Sequence, residues 1–353
     1  MQERYVQATP LPAIECLKDA IQEKIWHPVI ISFYKEFIRN GTYTTLEEIL
    51  THIPSESHPP ILHTLTTHVT MEKPIFIYGI GVNLAPEDRV RFVAASTHLL
   101  WCLSLIVDDI LDGDTQRANQ ATAWAIYGKR EAYSAALASY EVLQRLTEER
   151  FSLQVRATLV EYVKGSLESL DDPSIRNLDT TIEDILRNID HRARFHCEYP
   201  ILALSPSPSE ATEETKRAAI EGLFCVNRAG QILNDVKDLV PSGLYGREVF
   251  SDLRSGIATV PLLMLYQASS PEEKNLLTIC FGNPSLIDEN NQNIREIVTR
   301  RLPKSPLYSL IEKNYSTFLS LMEEIISPNY FSFCQTWVDY KLEQANQLLQ
   351  LKR

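Results

Sequence analysis

The chain has 353 residues, 44% of them apolar, and a formal net charge of −12. A core of useful size is readily buried, while the acidic balance argues against a nucleic-acid binder, which needs many Lys and Arg contacts to phosphate, and against electrostatic adhesion to anionic lipid. Six scattered cysteines with no CxxC pair offer neither a disulfide framework nor a zinc signature and fit a reducing cytoplasm.

Along the chain, the start MQERYVQATP carries no apolar run, so no signal peptide is expected. Helix signals dominate. Thr45 with Glu48, Thr180 with Glu183 and Ser270 with Glu273 each place a capping hydroxyl three residues before Glu, and Pro86 opens a further helix. Breaks fall at 53–60, 113–121, 171–174, 205–209, 241–246 and 282–285, none long enough for a flexible linker. The natural reading is one α-helical domain of ten or more helices. The most apolar stretch, 92–107, is interrupted by polar residues and falls short of the ~18 apolar residues of a membrane span. It reads as a buried core helix, and no membrane span is expected.

That stretch ends in the sequence LIVDDILDGD. Asp108 and Asp112 are four apart, Asp109 and Asp112 three apart, so on a helix they share a face one turn apart. Carboxylates that close repel unless a cation lies between them, and at a helix C-terminus they also oppose the helix dipole. An all-oxygen set without His or Cys selects a hard ion, Mg²⁺ before Zn²⁺. A solvated acidic helix end is the plain alternative.

Further on, GQILNDVKDL repeats the geometry with Asn234, Asp235 and Asp238. Alone this is a surface pattern. Its force lies in the pairing: two such faces turned toward each other across a helical barrel would hold several Mg²⁺ ions around one diphosphate.

With both clusters in view, residues 90–262 resemble the trans-isoprenyl diphosphate synthases and their relatives, the class I terpene synthases. DDILDGDTQRANQATAWAIYG is similar to that family's first Asp-rich motif. GQILNDVKDL and the later GREVFSDLRSGIATVPLL are similar to its second. The resemblance implies a single all-α isoprenoid synthase domain over 1–353, folded around a deep central cavity. It further implies a prenyl diphosphate substrate, three Mg²⁺ ions and a homodimer. By the same resemblance Asp108, Asp109, Asp112, Asp235 and Asp238 bind metal, with Asn234 in a slot where chain-elongating members carry Asp. Asp108, Asp109 and Arg117 would carry catalysis, and Arg117 and Arg247 would contact the diphosphate. Terpene cyclases also carry a diphosphate-sensing arginine before the second motif. Arg192 is the candidate, with Arg187 and Arg194 as alternatives.

The departures bear on function. Chain elongators bind isopentenyl diphosphate through a Gly-Lys-Arg-x-Arg-Pro-like segment and a histidine eight residues before the first aspartate. Here the segment keeps only Lys73 before Pro74, the histidine slot is Leu100, Val107 precedes Asp108, Ala118 follows Arg117, and Ile257 stands where a lysine is usual. Each lost charge-assisted hydrogen bond is worth about 1.5–3 kcal/mol, and a metal-free diphosphate cannot be buried unpaired. The expectation is therefore a Mg²⁺-dependent terpene cyclase acting on farnesyl or geranylgeranyl diphosphate. A chain-elongating synthase and a non-catalytic subunit are the alternatives.

The pocket wall should be the helix before Asp108, with small Ser104 leaving room and Trp101, two turns of about 5.4 Å below, as floor or cation-facing wall. Core packing is the alternative for Trp101. His191 and His196 read as packing or surface residues, and Lys237 as a solvated lysine.

Overall fold

The computed structural model describes residues 28–67, 71–117, 120–205, 211–240 and 249–349. The Arg247 and 241–246 readings, and most of the 205–209 break, lie outside them. Helices α1 (Pro28–Arg39), α2 (Thr42–Thr51), α3 (His58–Thr67) and α4 (Glu72–Gly81) precede the long α5 (Glu87–Asp112). A two-residue antiparallel ladder, β1 (Gln116–Arg117) with β2 (Gln120–Ala121), follows. Then come α6 (Ala123–Tyr127), α7 (Lys129–Arg150), α8 (Leu153–Glu168), α9 (Ile182–Leu204) and α10 (Glu213–Leu239). The remainder is α11 (Ser251–Ser255), α12 (Val260–Ala268), α13 (Pro271–Cys280), α14 (Pro284–Glu289), α15 (Asn291–Arg301), α16 (Leu307–Glu323) and α17 (Pro328–Leu349). The all-α expectation holds, with the small ladder as its one exception among the described residues.

Local chemistry sets the helix ends. Ser270 and Glu273 form the expected capping box at α13, with Pro271 in the first turn. At α9 the box is one residue later than expected: Thr181 and Asp184 cap each other's backbone, and Thr180 is outside. Thr45 caps nothing. Gly41, left-handed at φ 79°, lets α2 begin earlier, and the Thr45 hydroxyl donates back to the Gly41 carbonyl inside the helix.

Helix α5 is the axis of the bundle. It packs on α2, α4, α7 and α9, and every residue from 92 to 100 is buried, as an apolar helix surrounded by others requires. It is long and apolar enough to cross a membrane by composition, but 72% of its most apolar window is buried among its neighbours. Helix α9 packs on α5, α8 and α10, so it lies between the two acidic helices and against both.

The α4–α5 corner depends on a close approach. A Cβ on Gly81 would stand 2.8 Å from Val90 Cγ1 and 3.0 Å from Leu204 Cδ2, where α4 meets both α5 and the end of α9. Gly81→Ala must push these helices apart. The expected cost is about 1–3 kcal/mol, read as a lowered urea midpoint with an unchanged slope.

Candidate active site

The acidic end of α5 is held open by its own backbone. Gly113, left-handed at φ 75°, stops the helix, and the amide of Asp114 donates to the Asp109 carbonyl. Asp109 is buried at 1% exposure and receives Arg117 Nη2 at 2.6 Å and Nε at 2.9 Å. Burial still outweighs that arginine and, with Asp114 and Asp108 nearby, pushes the Asp109 carboxyl up to about 6. Asp112 is pushed up to about 6 as well, by its partly enclosed setting and by the charges of Asp108 and Asp114, against the pull of Arg192 and Arg117. These carboxylates are short of positive charge. Arg117, expected on the diphosphate, is here committed to Asp109.

The three arginines of α9 separate cleanly. Arg187 pairs with Asp184 at 3.0 Å and points to solvent. Arg194 pairs with Glu198 at 3.0 Å and lies 4.0 Å from the Tyr162 ring centre. Arg192 makes no ion pair among the described residues, and its charge reaches Asp112.

The second cluster sits on α10. Asp235 and Asp238 are buried, at 5% and 3% exposure, and Gln231 Nε2 donates to Asp235 Oδ1 at 2.7 Å. Exposed Asn234 accepts from Lys237 Nζ at 3.1 Å, so Lys237 is tied to the cluster rather than merely solvated. The Phe250 amide donates to the Asp238 carbonyl at 2.7 Å, anchoring the end of α10 to the turn that starts α11.

Both clusters rise from one layer. Trp101 on α5 stacks on His196 of α9, ring centres 6.5 Å apart, and His196 Nε2 bonds Asn227 Oδ1 of α10 at 2.9 Å. Lys73 Nζ of α4 lies 3.6 Å from the Trp101 ring centre. Asp108 is seven residues beyond Trp101, and Asp235 eight beyond Asn227. Arg192, four residues before His196, senses Asp112, so α9 runs antiparallel to α5. Asp190 of α9 binds Arg228 of α10 at 2.6 Å, and the short 205–212 connection turns α10 back along α9. The two clusters thus stand at the same end, about 10 and about 12 Å above the layer at 1.5 Å per residue.

On α5, partial exposure is found at Asp108, Ser104 and Trp101, while residues 92–100 are buried, and on α10 Asn227 is partly exposed. Ser104 turns its hydroxyl onto the Trp101 carbonyl at 2.8 Å, presenting a small wall. The Trp101 ring already carries the Lys73 ammonium, so it is not a face free for a substrate cation. His196, read as packing, does pack on Trp101, and Asn227, unmarked in the sequence, is its hydrogen-bond partner. A separate outer cleft of about 690 Å³, lined by Asp184, Asp190, His191 and Arg228 among others, lies on the far side of α9, and its arginines are ion-paired.

An all-helical bundle that brings two acidic helix ends to one level is the arrangement of the isoprenoid synthase class. The polyprenyl synthetase family model matches residues 60–299, and the chain belongs to that family of prenyl-transferring enzymes. Among curated relatives it is 25% identical over 220 residues to the short chain isoprenyl diphosphate synthase of Methanocaldococcus jannaschii, covering 60% of this chain and 66% of that one. It is 25% identical over 229 residues to heptaprenyl diphosphate synthase component 2 of Bacillus subtilis, covering 62% and 63%. The chain thus matches just under two thirds of the length of these relatives. The polyprenyl synthase of Caulobacter crescentus, solved with calcium and isoprenyl diphosphate, shares the fold with a TM-score of 0.65 at 15% identity, over 94% of each chain.

Asp112 gives a stability test of the clustered charge. Its folded-state pKa is raised, so the charged form is disfavoured in the fold and stability is lost as pH climbs from about 4 to about 6. Without divalent cations Asp112→Asn should be more stable than the parent at pH 7, by about 0.2–0.5 kcal/mol as for like charges one helical turn apart. The difference should vanish near pH 3 in parallel thermal melts.

Proposed function

We propose that this chain, as a single isoprenoid synthase domain over 1–353, is a divalent-cation-dependent prenyltransferase. It ionises an allylic prenyl diphosphate and extends it with isopentenyl diphosphate. The observation that carries the first half is the pair of acidic helix ends brought to one level by α9. The family and the names of its relatives, all chain-building synthases, favour elongation over the cyclisation expected from the sequence.

The donor set fits a hard cation. It is all oxygen, and burial together with neighbouring carboxylates pushes the Asp109 and Asp112 carboxyls up to about 6. Among the described residues no three His, Cys, Asp or Glu side chains gather closely enough to hold a metal ion by themselves. Mg²⁺ suits such a set, because it takes one or two carboxylates and completes its shell with water and substrate phosphate. The Caulobacter structure with calcium and isoprenyl diphosphate supports the same assignment. Asp108, Asp109 and Asp112 on one side, and Asn234, Asp235 and Asp238 on the other, are the proposed ligands. Bound there, Mg²⁺ supplies Lewis-acid charge to the departing diphosphate.

The chain's own residues do the rest. Arg192, without an ion pair among the described residues and with its charge felt at Asp112, donates to the diphosphate as charge develops on it. Arg117 holds Asp109 in register, and Arg247 is a second proposed diphosphate contact. The carbon–oxygen bond breaks with its electron pair leaving on the diphosphate. The isopentenyl double bond then attacks the allylic cation, and proton loss restores a double bond. Ser104 and the apolar walls down to Trp101 exclude water meanwhile. A homodimer is proposed for the assembly. The exposed stripe of Tyr133 and Leu137 on α7, continued by Ile126 and Tyr127 of α6, supports it.

One observation favours a second reading, cyclisation of the allylic substrate alone. Lys73, the one basic residue surviving from the acceptor-binding segment, lies on the Trp101 ring. The test is incubation with Mg²⁺ and geranyl or farnesyl diphosphate, with and without isopentenyl diphosphate. Longer prenyl diphosphates formed only with isopentenyl diphosphate are expected. Hydrocarbon or alcohol from the allylic substrate alone would establish the cyclase instead, and no turnover would defeat both.

A further inference from the structure

Two consecutive residues of α10 are tied to α9, and they reach it from different sides. Asn227 Oδ1 bonds His196 Nε2 at 2.9 Å on the side where His196 stacks on Trp101. Arg228 meets Asp190 on the side of the outer cleft, which both of them line. That second contact is a fork: Arg228 Nε donates to Asp190 Oδ1 at 2.7 Å and Nη2 to Oδ2 at 2.6 Å. The remaining Nη1 donates at 2.8 Å to Glu221, seven residues back on α10 itself. The two side chains of the fork are largely shielded from water, at 20% and 24% exposure. An ion pair in such a place adds little stability over apolar residues of similar volume, because desolvation offsets the attraction. What a bidentate pair supplies is direction.

Direction matters because of what lies further along α10. Asp235 is seven residues beyond Arg228, close to two full turns, and Asp238 is eleven beyond Asn227, close to three. Each buried aspartate therefore stands nearly in line with one of the two tethered residues. A helix tethered on one side can roll about its axis; one tethered on two sides is held against rolling. With side chains ending about 5–6 Å from the axis, a roll of about 20° carries a carboxylate by about 2 Å. A working site tolerates about 0.5 Å, and an error of about 1 Å can cost about a hundredfold.

We propose that Arg228 is a positioning residue for the second cluster. Its fork to Asp190, acting with the Asn227–His196 bond, fixes the roll of α10 so that Asp235 and Asp238 meet the divalent cations at bonding distance. Arg228 itself lines the outer cleft and acts through the helix that carries it. Its two acidic partners have different parts. Asp190 belongs to α9, so losing it opens the link between the helices. Glu221 belongs to α10, so losing it removes a charge and leaves the link in place. This difference separates positioning from a general effect of charge on the site.

The inference rests on the proposed function, and one set of titrations separates their failures. Inorganic diphosphate is titrated calorimetrically, with and without Mg²⁺, into the parent, Asp190→Asn, Arg228→Met, the double variant and Glu221→Gln. Urea midpoints establish that each variant is folded. Asp190→Asn and Arg228→Met should each weaken Mg²⁺-dependent binding by about tenfold, within what misplaced site groups cost. The double variant should bind no more weakly than the weaker single, as two members of one unit do. Glu221→Gln should bind like the parent. Asp190→Asn keeps the shape of the side chain and loses one prong of the fork, so it decides the matter if Arg228→Met does not fold. Parent-like affinity in a folded Asp190→Asn protein would overturn the positioning role. So would single losses that multiply to about a hundredfold in the double variant, or a loss in Glu221→Gln equal to that in Asp190→Asn. A parent that shows no Mg²⁺-dependent binding would sink the proposed function, and the positioning role with it.

Discussion

The folded chain gathers carboxylates at the ends of α5 and α10, three of them buried, and the helices between are packed so as to keep them there. Asp109 has Arg117 and is still pushed up to about 6. Asp112 has Asp108 and Asp114 for neighbours and only the distant pull of arginines. On α10, Asp235 and Asp238 are buried at a helix end that also disfavours negative charge. A stable protein with no use for such an arrangement would relax it by losing an aspartate. Keeping it makes sense where a cation and an anionic substrate arrive together and complete the charge balance.

The bundle supplies the second half of the design, the packing that holds that charge in place. Helix α5 is buried on all sides over residues 92–100, is partly exposed at Trp101 and ends in aspartates. Helix α9 holds α5 and α10 in one register through Trp101–His196, His196–Asn227 and Asp190–Arg228. The same helix places Arg192 toward the acids while committing Arg187 and Arg194 elsewhere. One element thus sets both the register of the two clusters and the positive charge beside them.

Much of this was legible from residue spacing. The helical character, the core helix before Asp108, the two clusters and the place of Trp101 two turns below all follow from period and chemistry. Helix starts were legible where the cap is chemical, as at Ser270, and missed where it is conformational, as at Gly41. What spacing cannot reveal is which partner arrives from another helix. Three arginines within eight residues look alike until Asp184 and Glu198 claim two of them. Lys73 reads as the surviving basic residue of an acceptor-binding segment, and only the packing of α4 beside α5 reveals that it lies on Trp101. The preference for cyclisation rested on counting lost donors one by one. The family to which the whole chain belongs weighs more than that count.

The central claim is that the ends of α5 and α10 grip one diphosphate through shared divalent cations. Titration calorimetry with inorganic diphosphate addresses it without any turnover. The account predicts binding that requires Mg²⁺ and is weakened by about tenfold or more, at least 1.4 kcal/mol, by Asp108→Asn and by Asp235→Asn alike. Diphosphate that binds equally well without Mg²⁺, or a folded Asp235→Asn protein that binds it as tightly as the parent, would contradict the account.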